Sequence, residues 1–121
     1  MSEPVLHLTD HKTWQTALER GCYEPESLST EGFIHCSQPS QILEVANAFY
    51  HGQRGLILLI IDPNRLACEL KWEPPAEPHP SHVHADDLFP HLYGSLNLEA
   101  VVRIADFEPD ANGQFNSLPD L

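Results

Sequence analysis

The chain has 121 residues, 41% of them hydrophobic, which suffices for one core but not for two domains, since domains cluster near roughly 100–150 residues. Six Lys and Arg stand against eighteen Asp and Glu, and the formal charge of −12 argues against nucleic acid or an anionic membrane as partner. The acidic residues are scattered rather than blocked, so most of them simply solvate a surface.

Cys22, Cys36 and Cys68 are odd in number and show no CxxC spacing, which points to a reducing compartment rather than a disulfide framework. Met1-Ser2-Glu3-Pro4 has no basic start or long apolar stretch, and the longest apolar run, Leu56 to Ile61, is too short to span a bilayer. A cytoplasmic location is expected.

Val5 to Leu8 reads as a strand. Thr9 and Asp10 are both good helix caps, and Trp14, Ala17 and Leu18 then recur at helical spacing until Gly21. Residues 22–31 show no periodicity and read as a connecting loop. Gly32 to Cys36 is a second strand, and Ser37 followed by Pro39 predicts the cap and first turn of a helix carrying Ile42, Leu43, Val45, Ala46 and Phe49, stopped at Gly52 or Gly55.

Leu56 to Ile61 is a continuous apolar run expected of a central strand buried on both faces, ended by a turn at Asp62-Pro63-Asn64. Leu66 to Trp72 fits either a short strand or a frayed helix, and the strand is preferred. Residues 74–82 hold four prolines and two histidines and predict a surface loop. Leu88 to Tyr93 reads as a strand broken by Pro90, Ala100 to Phe107 as a cleaner strand, and the chain from Pro109 as a polar tail docked through Phe115 and Leu118. Two helices against a sheet of about five or six strands make an α+β domain.

His7 and His35 each lie in an apolar strand just before a hydroxyl residue, Thr9 and Ser37 respectively. The period of two puts each imidazole on the same face as its hydroxyl, so two such strand ends side by side would form a polar pocket. The plainer reading of either one alone is a buried, hydrogen-bonded core histidine. Phe89-Pro90-His91-Leu92-Tyr93-Gly94 adds an imidazole and a phenol on one face, groups that bind sugar hydroxyls or polarise a leaving group, or else pack at a core edge. Glu73 closes the segment Glu69 to Glu73, where a carboxylate could orient a ribose or stabilise a cationic transition state, or merely sit at the surface. Cys36 neighbours His35 but points to the opposite face, which argues against an activated thiol. His79, His82 and His84, with Asp86 and Asp87, invite zinc or nickel; the spacing is not a strong match to any metal motif, so a solvated loop is preferred and no metal is expected.

His7-Leu8-Thr9, the run Glu31 to Ser37 with Gln41 after it, and Phe89 to Gly94 together resemble the bacterial family catalogued as domain of unknown function 952, over about residues 5–107. The resemblance implies an ADP-ribosyltransferase-like fold, a split and strongly curved sheet around an NAD-binding cleft, with residues 1–108 as the domain and 109–121 as a tail. It further implies a first-strand residue on the nucleotide ribose, which maps to His7, and a second-strand cofactor contact, which maps to His35 with Ser37. The later carboxylate on the nicotinamide ribose maps to Glu73 unless His91 takes that place.

The leading expectation is a transferase or glycohydrolase binding NAD or ADP-ribose. In it His35, His91 and Glu73 are catalytic, and His7, Thr9, Ser37 and Tyr93 bind the ligand. Lys12, Arg20, Arg54, Arg65, Lys71 and Arg103 are the whole supply of cations for a pyrophosphate. The alternatives are a non-catalytic module for a small metabolite, phosphorylated or sugar-like, and a metal-binding accessory protein using the 79–84 histidines. A monomer is favoured, with a small-molecule partner and neither nucleic acid nor membrane.

Overall fold

A computed structural model describes residues 3–74 and 88–119. The 79–84 histidines lie outside the described residues.

The first strand, β1 (Val5–Asp10), runs directly into helix α1 (His11–Arg20). Asp10, not Thr9, caps that helix, its Oδ1 accepting the Thr13 N–H at 2.7 Å. Gly21 closes it in the left-handed region at φ 89°, its N–H bonded to the Ala17 carbonyl. Trp14 and Ala17 are buried, but Leu18 is 47% exposed despite its helical spacing.

The segment expected as a loop holds β2 (Cys22–Tyr23) and α2 (Glu26–Thr30). Elements of two and five residues are too short to leave a periodic pattern, which is why the sequence hides them. β3 (Ile34–His35) follows, then α3 (Ile42–Phe49), so there are three α-helices rather than two among the described residues. Ser37 does not cap α3: its backbone is committed to Leu6. Gln41 stands at the helix start, its side chain accepting the Gln38 N–H and donating to the Leu88 carbonyl. The helix ends at Tyr50, ahead of Gly52.

β4 (Leu56–Ile61) is buried at every position, as its composition predicts. It is the middle strand of an antiparallel sheet in the order β1-β4-β8, where β8 spans Val101–Phe107. Its alternate residues feed two cores. Ile57, Leu59 and Ile61 pack with Trp14, Tyr23, Ile34 and Leu92, while Leu56, Leu58 and Ile60 pack with Leu6, Ile42, Phe107 and Phe115.

A second antiparallel sheet, β3-β6-β5, is made with β5 (Glu69–Glu73) and β6 (Phe89–Tyr93). The 66–72 segment thus contributes a strand, and Pro90 does not break β6. The strand tolerates this proline because β3 ends at His35, and what remains of the ladder there is the Cys36 N–H donating to the Pro90 carbonyl at 3.1 Å. β2 pairs with β7 (Leu96–Asn97). An antiparallel bridge links the two larger sheets: Leu6 N–H donates to the Ser37 carbonyl at 2.9 Å and Ser37 N–H to the Leu6 carbonyl at 2.8 Å. No helix among the described residues is long and apolar enough to cross a membrane.

The segment after β8 is tied down at several points. Asn47 clamps Phe115, accepting its N–H at 2.7 Å and donating to its carbonyl at 2.9 Å. The Phe115 ring is buried and stacks on Phe107 with centroids 4.8 Å apart. Gly113 lies so close to Gly52 that an added Cβ would sit 2.9 Å from the Gly52 Cα. Leu118, expected to dock with Phe115, is instead 36% exposed. Phe115→Ala is expected to destabilise the protein by about 3 kcal/mol in urea unfolding, the cost of emptying a buried aromatic site, whereas Leu118→Ala should change little.

Candidate functional site

The bridge between β1 and Ser37, two residues beyond β3, brings both strands to one cleft of about 630 Å³, within the range of small-molecule sites. Its polar part includes His7, Thr9, His35, Ser37 and His91, and its apolar part includes Ile42, Val45 and Phe49 along one face of α3. Five of the seven residues singled out in the sequence therefore share one lining. Glu73 and Tyr93 are not part of that lining and stand behind His91.

His7 is fixed within the fold. Its Nδ1 donates to the His35 carbonyl at 2.6 Å, which leaves Nε2 to accept from the Tyr23 hydroxyl at 2.7 Å. Thr9 lies beside the same phenol and acts to lower its pKa. Burial lowers the His7 pKa to about 4, so the ring is neutral at physiological pH. Burial also pushes the Tyr23 phenol and the Cys36 thiol well up, and Cys36 is an inert core thiol.

His35 and His91 face each other across the β3-β6 ladder, directly paired in register, with ring centroids 5.6 Å apart in an edge-to-face arrangement. His35 Nε2 bonds Glu31 Oε2 at 3.0 Å. His91 is buried, and its Nδ1 donates to Glu73 Oε1 at 2.8 Å, leaving Nε2 as the nitrogen open to a ligand. The Tyr93 hydroxyl donates to the same Glu73 oxygen at 2.6 Å. These two bonds, Tyr93 first and then His91, hold the Glu73 carboxyl below its usual range, while the Glu73 bond raises the Tyr93 pKa. Phe33 stacks on His91 at 4.4 Å and lies 4.7 Å from the His35 ring, packing both imidazoles from one side.

Tyr23, Glu31 and Phe33 are the site residues that reasoning from the sequence did not assign a role. Glu31 had a usable signal, since it stands four residues before His35 beside a short helix. Tyr23 had none, because β2 was invisible as an element.

The charge of the cleft is one-sided. Asp10, Glu26 and Glu31 are in its lining, whereas none of the six Lys and Arg is, and all six are among the described residues. The lining offers hydroxyls, imidazoles and an apolar face, which fit a ribose and a planar base. It offers no Lys or Arg to a diphosphate, and on that count the residues do not fit NAD as a whole. Among the described residues, no three His, Cys, Asp or Glu side chains converge as a metal site.

An α+β chain with two bridged sheets and a histidine-lined cleft between their strand ends is the class these features define. The chain belongs to the family described as protein of unknown function DUF952, whose model matches residues 8–104. It is similar to the crystal structure of protein CC0527 from Caulobacter crescentus, at 31% identity and a TM-score of 0.79 over 93% of each chain. It is also similar to the solution NMR structure of CC0527, at 32% identity and a TM-score of 0.73, covering 91% of this chain and 89% of that one. No curated protein matches it.

Because the His7 pKa is depressed from 6.5 to about 4 in the folded state, the unfolded chain binds more protons between those values. Stability is therefore expected to fall by about 3 kcal/mol as pH drops from 6.5 to 4, and His7→Gln should flatten that window. Denaturant midpoints measured across it check the sign. An unchanged slope in the variant would assign the pH dependence to other groups.

Proposed function

We propose that the cleft binds a ribosyl ligand in the manner of an ADP-ribosyltransferase-like protein and acts on its N-glycosidic bond, as a transferase or glycohydrolase. The observation that carries this reading is the pairing of His35 and His91 in one cleft, 5.6 Å apart, each held by its own carboxylate. A carboxylate that accepts from one ring nitrogen fixes the tautomer and orientation of the other, which is what a general base or a sugar-hydroxyl binder needs.

In this reading the C–N bond breaks with its electron pair leaving on neutral nicotinamide, and water or an acceptor hydroxyl bonds to the ribosyl carbon. His91 Nε2, unprotonated while Nδ1–H is held by Glu73, takes that nucleophile's proton; Glu73 and Tyr93 are positioning residues behind it. The carboxylate that faces a cationic ribosyl centre is then Glu31, a member of the lining, rather than Glu73. Thr9 and Ser37 supply hydroxyls to the sugar. His7, whose ring nitrogens are both bonded within the protein, supports the wall instead of holding the ribose itself. The setting is cytoplasmic, a reading supported by three free cysteines.

A second reading, a non-catalytic module that binds a small sugar-like metabolite, is favoured by one observation. Glu73 lies outside the cleft lining and its Oε1 is already shared by two donors, so the carboxylate that the resemblance maps to the nicotinamide ribose is not at the ligand.

Nicotinamide riboside added to isotopically labelled protein is expected to give saturable amide shifts around His35 and His91, with free nicotinamide accumulating on incubation. His35→Ala and His91→Ala should each weaken binding about ten-fold, the loss of one good polar contact. Binding without nicotinamide release selects the second reading, and no shifts at millimolar riboside exclude the first.

A further inference from the structure

We propose that the cleft selects a phosphate-free riboside, a nucleoside or cationic N-riboside, over the corresponding nucleotide. This rests on the ribosyl reading of the same site and deepens it.

Histidine-rich sites often bind phosphate, yet the three imidazoles here supply no net positive charge. His7 is buried and neutral, with both ring nitrogens engaged. His35 and His91 each have a carboxylate partner within the protein, Glu31 at 3.0 Å and Glu73 at 2.8 Å, so neither ring offers a ligand an unmatched positive charge.

Four of the six Lys and Arg are engaged outside the lining: Arg20 pairs with Glu24, Arg65 with Asp62, Arg54 donates to the Asp110 carbonyl, and Lys71 lies 4.7 Å over the Tyr93 ring. Lys12, in the first turn of α1, is also outside the lining and acts on Asp10, whose charge it partly offsets. Helix starts commonly hold phosphate through free backbone N–H groups, but the start of α1 at this cleft is already occupied by its own anion. The Asp10 carboxylate accepts the Thr13 N–H at 2.7 Å, and that bond holds its pKa low and the group ionised. A phosphate entering the cleft would meet Asp10, Glu26 and Glu31 with no Lys or Arg in the lining to offset them. An uncharged or cationic riboside meets no such repulsion. Its ring has the Ile42-Val45-Phe49 face of α3, and its hydroxyls have Thr9, Ser37 and the imidazoles.

The decisive pair of probes is nicotinamide riboside and nicotinamide mononucleotide, which differ by one phosphate. NMR titration of the intact chain at pH 7.5 and low salt is expected to give a Kd about ten-fold lower for the riboside, with the gap narrowing as salt screens the carboxylates. Glu31→Gln, which removes one of these charges, should narrow it as well. Equal or tighter binding of the mononucleotide, or a gap that ignores both salt and Glu31→Gln, overturns the inference while leaving the ribosyl reading intact. If neither compound shifts the amides around His35 and His91, the ribosyl reading itself fails and this inference falls with it.

Discussion

Two hydrogen bonds between Leu6 and Ser37 join the β1-β4-β8 sheet to the β3-β6-β5 sheet, and the position of nearly every site residue follows from them. They bring β1 alongside the end of β3, so that His7, one residue beyond Leu6, meets the carbonyl of His35, two residues before Ser37. The same pairing sets the alternation of side chains. Leu6 and Leu8 turn into the core with Phe107 and Phe115, and Val5 packs in the other core while His7 and Thr9 meet Tyr23. Because a strand's period is two, a one-residue slip at this bridge would exchange the imidazole for leucine at the cleft.

A polar site wedged between two cores is stable only if its groups are satisfied, and here they are. Among the described residues no buried side-chain nitrogen or oxygen lacks a hydrogen-bond partner. The chain solves the burial of His7 by keeping it neutral between a carbonyl and a phenol, and the burial of His91 by giving it Glu73. This internal pairing leaves the cleft rich in hydrogen-bonding groups and poor in positive charge, a combination that suits a sugar better than a phosphate. Phe33 completes the arrangement by packing one face of the His35-His91 pair, which restricts both rings to a narrow range of orientations.

The elements legible in the sequence are those long enough to show a period or bounded by strong caps: β1, α1 from Asp10 to Gly21, α3, the all-apolar β4, and β8. β2 and α2 were illegible because two and five residues carry no pattern, and Tyr23 was lost with them. The cap expected at Ser37 failed for a tertiary reason: a residue that bridges two sheets cannot also open a helix. Leu18 shows the limit of helical spacing, since its position on the wheel matches the buried face but nothing covers it. The histidines were legible as a group, because each sits where an apolar strand ends, yet their roles were not. Sequence alone could not reveal that His7 spends both nitrogens on the protein, or that Glu73 backs His91 from outside the lining.

In the proposed function His35 and His91 form one ligand-facing pair, while His7 is a fixed, neutral strut. Long-range proton–nitrogen NMR spectra of the imidazoles, recorded from pH 5 to 8 with and without nicotinamide riboside, separate these roles. His7 is expected to stay a neutral Nδ1–H tautomer throughout, while the rings of His35 and His91 respond to the riboside with a single shared Kd. A His7 that titrates near its ordinary value of 6.5, or two rings that respond with unrelated affinities, would contradict this assignment.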